Sequence, residues 1–350
     1  MTDRPASGDA LPAGKLPAAL LRELVAALPQ ADDVVLGPGI GRDVAVVDLG
    51  GTWLAAKSDP ITFAADRIGW YAIHVNANDL AAAGAEPRWF LASVLLPEGS
   101  ADAAMARRIM DDLAGAAAGI GVTLVGGHTE ITAGLRRPVV AGTMLGIVPR
   151  GRLIRPDGLV PGDVVLLTKG MAIEATSIIA RELPGRLRAA GFSSQEIAAA
   201  ADFLREPGIS VTADSRVACA AGDVHAMHDP TEGGVATALE ELAEAAGVDI
   251  EVDGAALDGA ISPLARRVCE AVGVDPRGVI SSGALLIGVP PASAGPVESA
   301  LAAAGIGAWR IGVARPKPGD AGVGWGRPRL SGGAPWRSFS RDEIVRICET

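Results

Sequence analysis

Cysteine is scarce in this chain. Of 350 residues only Cys219, Cys269 and Cys348 carry thiols. They are odd in number, scattered and without CxxC spacing, which excludes a disulfide framework and a cysteine zinc site and fits a cytoplasmic compartment. Positive charge is also short: 31 Lys and Arg stand against 41 Asp and Glu, a formal net charge of −10. Nucleic acid is therefore not the expected partner, because binding a phosphate backbone needs a basic face. No apolar run approaches the ~18–20 residues of a membrane-spanning helix, so no membrane association is expected. Residues 1–14 (MTDRPASGDALPAG) lack the basic-then-apolar order of a signal peptide and read as a disordered lead-in. Neither a P-loop, GxxxxGK[ST], nor a strand-borne GxGxxG is present, so any nucleotide must be held in another way.

What is there is an alternation of short apolar runs and helical patterns. The spacing predicts helices over 15–28, 66–83 and 102–118 and strands over 44–48, 53–56, 88–96, 122–125 and 138–148. Residues 15–149 thus form a first α/β unit. Residues 150–162 (RGRLIRPDGLVPG) are rich in Arg, Pro and Gly and read as a linker. A second α/β unit follows over 163–316, with helices expected over 172–181, 211–220, 232–246, 263–271 and 293–303. The Gly- and Pro-rich 317–350 is expected to be irregular, ending in a short helix with Ser340 as N-cap and Glu343 as capping-box acid.

Five clusters place acids or polar groups where chemistry is possible. GPGIGRD (37–43) brings glycines, including Gly39 and Gly41, up to Asp43; alone it reads equally as a capped turn. KSDP (57–60) puts Asp59 before a proline at a strand end, where it is biased to extended backbone. VNANDLAAAGAEP (75–87) sets Asn76, Asn78 and Asp79 inside an apolar, alanine-rich helix, where polar groups cost free energy unless they are paired or bind something. LVGGHTE (124–130) ends a β run in Gly126 and Gly127, which permit close approach to a phosphate. His128, Thr129 and Glu130 follow; the His and Glu read as metal ligands, as outer partners of ligands, or as a satisfied loop pair. HDPTEGG (228–234) precedes a helix, so Asp229, Thr231 and Glu232 either cap it or meet an anion there through a bridging metal. Each cluster supplies one or two carboxylates, and Mg²⁺ is typically held by one or two carboxylates plus substrate phosphates.

Taken in order, GIGRDVAVVD, SDP, VNANDLAAAGAEP, GGHTE, TKGMAIEATSIIA, HDPTEGGVATALEELAEAAG and GVISSGALLIGV resemble the AIR synthase-related superfamily, over roughly 37–288. That superfamily contains AIR synthase, thiamine-monophosphate kinase, selenophosphate synthetase and the hydrogenase maturation protein HypE. The resemblance implies an α/β, PurM-like N-terminal domain that dimerises through β-structure, a PurM-like C-terminal α/β domain, and ATP with Mg²⁺ in the cleft between them. It implies Asp43, Asp59, Asp79 and Asp229 as metal-side acids. Gly39, Gly41, Asn78, Gly126, Gly127, Thr129, Arg155 and Thr231 become nucleotide contacts, and His128 with Glu130 the acid or base on the substrate side. Three positions depart from the pattern: Arg42 for an acid, His128 for the acid of GGDT or GGET, and Glu232 for the arginine of HypE-like DPTRGG. GGHTE with HDPTEGG is most similar to AIR synthase-related and HypE-like members. The implied chemistry is ATP-dependent phosphorylation of an amide, carbonyl or phosphate oxygen on a small-molecule or peptidyl substrate. Two alternatives are a thiamine-monophosphate-kinase-like activity and a non-catalytic, ATP-binding homodimer that serves a maturation partner. HypE-like chains end in a modified cysteine; here Cys348 is followed by Glu349 and Thr350, and the favoured reading is a small hydrophobe on a last helix with Ile344 and Ile347.

Overall fold

The computed structural model describes residues 11, 16, 18–29, 31–39, 42–62, 66–317 and 326–348. Gly41 and nearly all of the expected lead-in lie outside the described residues, as does the side chain of Cys348.

Two six-stranded sheets organise the chain. The first holds β1 (Val34–Leu36), β2 (Ala45–Asp48), β3 (Trp53–Ile61), β4 (Glu86–Pro97), β5 (Thr123–Thr132) and β6 (Val139–Val148), in the order β1-β2-β3-β6-β4-β5. The pairs are antiparallel except β4 with β5, which the Ala103–Gly119 helix connects as a parallel crossover. The second holds β7 (Val164–Thr168), β8 (Ala226–His228), β9 (Asp249–Val252), β10 (Leu286–Val289), β11 (Ala308–Arg315) and β12 (Pro328–Leu330), in the order β12-β9-β11-β7-β10-β8.

Strand β6 shows why the first sheet has two unlike faces. Its residues alternate strictly between buried and half-exposed, as a two-residue period demands. The buried row, with Val140, Met144 and Val148, lies under the Ile68–Ala82 helix, whose side chains are nearly all inaccessible. Small residues allow that depth. A Cβ on Gly69 would stand 2.6 Å from the Ile109 carbonyl oxygen of the neighbouring helix, so only glycine lets the two helices approach so closely. The same helix packs on the Thr212–Ala221 helix of the second unit, and one apolar core runs from the first sheet into the helices of the second. Among the described residues no helix is long and apolar enough to cross a membrane.

Besides the unforeseen short elements β1, β8, Gly254–Gly259 and β12, the last in a stretch expected to be irregular, the structure departs from expectation at three places. The strand expected to stop at Val125 continues through Gly126 and Gly127 to Thr132, because pairing with β4 satisfies its backbone along the whole length. Helices Pro184–Ala189 and Ser194–Ala201 were not foreseen, although Ser193 and Glu196 make a full capping box. The last helix is only Val345–Cys348, and Ser340 and Glu343 do not cap it. Asp342 instead accepts from the Ile344 and Gly233 amides, and Glu343 accepts from the Asp275 amide. These bonds draw the segment onto the second unit.

Candidate active site between the two units

Strand register sets one half of the site. Lys57 and Asp59 pair across β6 with Met144 and Gly142, and those pair with Phe90 and Ala92 of β4. That row is buried, so both side chains point toward the Ile68–Ala82 helix. From the helix, Asn76 clamps the strand: its Oδ1 accepts from the Asp59 amide, and its Nδ2 donates to the carbonyls of Ala72 and Asp59. The clamp needs Gly142, where a Cβ would collide with both Asn76 Nδ2 and the Phe90 ring. One turn along, Asp79 is buried, with its Oδ2 3.2 Å from Lys57 Nζ; Asp59 Oδ2 lies 3.5 Å from the same nitrogen.

The other half comes from the start of β2 and the end of β8. Asp43 Oδ2 lies 3.0 Å from His228 Nδ1, and His228 Nε2 lies 2.8 Å from Glu241 Oε2 on the Gly234–Ala246 helix. Asp229 is 1% exposed, and neither of its carboxylate oxygens has a hydrogen-bond partner. One ligand atom each from Asp43, His228 and Asp229 lie within 4.8 Å of one another.

The electrostatics follow from packing these charges in a poorly solvated place. Burial pushes the Asp229 carboxyl up to about 7, with the Asp43 charge adding to it. Burial also raises Asp79 well above the usual carboxylate range, against the pull of Lys57. Burial alone would lower Lys57, but Asp79, Asp59, Asp43 and Asp229 outweigh it and hold the ammonium above its ordinary range. His228 behaves likewise: desolvation disfavours its charge, and Asp43 and Glu241 more than restore it. Both its nitrogens donate to carboxylates in that state, so it orients Asp43 rather than offering a lone pair to a metal. The donors left for a metal are then carboxylate oxygens, the ligands that Mg²⁺ prefers, and the two unpaired oxygens of Asp229 fit such an ion.

The structure therefore gathers Asp43, Asp59, Asp79 and Asp229 around Lys57. It adds Lys57, Asn76, His228 and Glu241, which were not assigned site roles from sequence. Lys57 and His228 sit two and one positions before Asp59 and Asp229, which was the available signal. Glu241 had none.

Several other expected site residues lie elsewhere. Gly126, Gly127, His128, Thr129 and Glu130 are exposed on edge strand β5, three strand spacings or about 14 Å from β3. His128 and Glu130 pair with Ser93 and Leu95, and those with Ala141 and Val139, in the half-exposed row. Within one chain they thus stand on the sheet face opposite to Lys57 and Asp59, bonded to each other at 3.1 Å. Asn78 is not open to a ligand. It is wholly buried, accepts from the Val211 amide and donates to the Ile209 carbonyl, so both ends of its amide hold the second unit. Arg155, in the connecting segment, is paired with Asp157. Gly39 lies under the side chain of Arg42, which a Cβ there would strike. At the HDPTEGG turn the Gly233 amide already meets Asp342, and the Gly234 amide meets the Thr231 carbonyl. Two of the amides expected to receive an anion are therefore engaged within the chain.

Known proteins share this fold. The AIR synthase related protein N-terminal domain matches residues 41–148, and the AIR synthase related protein C-terminal domain matches residues 160–324. The carbamoyl dehydratase HypE of Rhodobacter capsulatus is 30% identical over 291 residues, which is 83% of this chain and 81% of that protein. The crystal structure of the hydrogenase maturation protein HypE in complex with ATP aligns with a TM-score of 0.69 at 23% identity, covering 87% of this chain and 90% of that one. A chain of the HypE–HypF complex aligns at 0.66 and 20% identity, covering 85% and 92%. At such identities the two structures speak to the fold. Tandem matches to both halves and a relative aligned over most of both chains converge: the chain belongs to the AIR synthase-related family of ATP-dependent enzymes.

Proposed function

We propose that this protein binds Mg-ATP between its two units and transfers the γ-phosphoryl group to an oxygen of an amide-, carbonyl- or phosphate-bearing substrate, small-molecule or peptidyl, in the manner of a carbamoyl dehydratase. One observation carries the reading. Asp229 is a wholly buried carboxylate with two unpartnered oxygens beside Asp43, a costly arrangement unless a cation completes it. Asp43 and Asp229 would hold the ion, with Asp59 and Asp79 as the further acids of the site. The bound Mg²⁺ would neutralise triphosphate charge. His228, held between Asp43 and Glu241, keeps the Asp43 carboxylate in one orientation. Asn76 fixes the strand that carries Asp59, and Lys57 keeps its charge beside the acids. In phosphoryl transfer such positioning and charge neutralisation supply most of the catalysis.

The protein acts as a homodimer in this reading. The half-exposed row of the first sheet includes Leu91, Leu95, Leu145 and Ile147 beside His128 and Glu130, an apolar surface that suits a second copy. Dimerisation over that face would cover the GGHTE residues of each chain with the half-exposed face of the partner. A maturation protein is the proposed macromolecular partner, on the strength of the HypE relatives.

Calorimetric titration of ATP with and without Mg²⁺ tests the binding, and ADP release in the presence of carbamoylated peptide or small amides tests turnover. Tight binding that needs Mg²⁺, with ADP release, is the expected result. Binding without any turnover would leave an ATP-binding scaffold, and no binding in either condition would overturn the proposal.

A further inference from the structure

We propose that Lys57 is a built-in counter-ion standing where a second divalent cation would otherwise sit, so that the protein side of this site takes one Mg²⁺, on Asp43 and Asp229, and keeps Asp59 and Asp79 on its own ammonium. The inference rests on the Mg-ATP reading above and deepens it. It makes Lys57 the residue that fixes how many metal ions the site admits.

The acids divide into two groups. Asp43 and Asp229, with His228, bring ligand atoms within 4.8 Å of one another. Asp59 and Asp79 do not belong to that set; they meet instead at Lys57 Nζ, 3.5 and 3.2 Å away. Lys57 cannot readily leave them. β3 is paired with β6 along its whole length, and that register fixes Lys57 and Asp59 on one face. The Asn76 clamp then holds the helix that carries Asp79 against that face. Asp79 Oδ2 is buried and makes no hydrogen bond, so its ion pair with Lys57 supplies the countercharge at that atom.

The nitrogen stands at a place that a metal ion would suit. Mg²⁺ needs oxygens at about 2.0–2.1 Å. Two carboxylate oxygens already converge on the Nζ position from 3.5 and 3.2 Å, so they need to move by about 1.1–1.5 Å once the lysine head is gone. One monovalent ammonium in that place leaves more net negative charge on the acids than a divalent ion would. Its stem also blocks the second ion without help from ligand concentration.

The test is a count of bound Mn²⁺, used in place of Mg²⁺ and read by electron paramagnetic resonance on the full chain, alone and with a non-hydrolysable ATP analogue. Wild type is expected to hold one protein-bound Mn²⁺ per chain. Lys57→Met is expected to hold two and to show a larger Mn²⁺-dependent rise in melting temperature than wild type. Lys57→Met/Asp79→Asn removes the charge that the second ion would satisfy, so it is expected to return to one ion. That double variant also serves if Lys57→Met folds only with Mn²⁺ present. A count that Lys57→Met leaves unchanged, or a wild type that already holds two, overturns the inference and spares the metal reading. No Mn²⁺ bound by wild type in either condition removes both.

Discussion

Asn78→Ala is the sharpest test of the way the two units are joined. Asn78 lies within the NxxDLAxxGA helix, yet its amide is spent on the second unit: Oδ1 accepts from the Val211 amide at 2.8 Å, and Nδ2 donates to the Ile209 carbonyl at 2.7 Å. The side chain is 0% exposed. Truncation leaves one buried N–H and one buried C=O without partners, at about 1–3 kcal/mol each. Some of that is relieved if water enters the space. The expected loss is therefore about 2–5 kcal/mol, a large share of the ~5–15 kcal/mol that stabilises an ordinary domain. Urea unfolding followed by far-ultraviolet circular dichroism measures it, and hydrogen exchange locates it. The Ile209 and Val211 segment should lose protection first, before the centre of β6. Asn78→Asp keeps the acceptor but sets an oxygen against the Ile209 carbonyl, so it should be no better tolerated than alanine. A loss under about 0.5 kcal/mol for Asn78→Ala would refute the latch and return Asn78 to the ligand role that sequence suggested.

Three further outcomes are expected. Asp229→Asn replaces a buried carboxylate whose oxygens make no hydrogen bond, so the metal-free protein should melt higher while Mg²⁺-dependent ATP binding falls at least tenfold in calorimetry. Burial, with the nearby Glu232 charge adding, pushes Glu174 up to about 8 from 4.5. The folded state therefore holds a proton that the unfolded chain releases, and stability should decline as pH rises from about 4.5 to 8 and then level off. The ceiling is about 5 kcal/mol from this group, and Glu174→Gln should flatten that slope in melts taken across the same range. Asp342→Ala strips acceptors from the Gly233 and Ile344 amides, at a cost of about 1–3 kcal/mol each, and differential scanning calorimetry should show it.

Asp79 was legible on its own because it breaks a local rule, whereas Asp43, Asp59 and Asp229 read locally as turn or cap residues and stood out only through their order. A carboxylate inside the alanine-rich helix, as at Asp79, has no reason to be there unless something meets it. Their order along the chain then gave the family and the two-unit fold. What stayed hidden depends on residues far apart in sequence. His228 touches Asp43 across 185 positions, and Asn78 reaches Val211 across 133. No window of the chain contains either pair. The placing of His128 and Glu130 was hidden differently: the Gly126-Gly127 pair looked like a strand end, and only the register with β4 shows which sheet face they share. The tail misled because Ser340 and Glu343 form a helix-capping pattern, whereas the backbone amide of Gly233 competes successfully for the acid next to Glu343.

That last bond has a practical side. The turn carrying Asp229 and Thr231 is moored to Asp342, 109 positions downstream, while Ile344 and Ile347 sink into the core beside it. An affinity tag, a fluorescent fusion or a protease cut at the carboxyl end therefore does not act on a neutral appendage. It pulls on the bond that steadies the turn proposed to hold Mg-ATP, and a loss of ATP binding in a C-terminally tagged preparation would report on the tag before it reported on the enzyme.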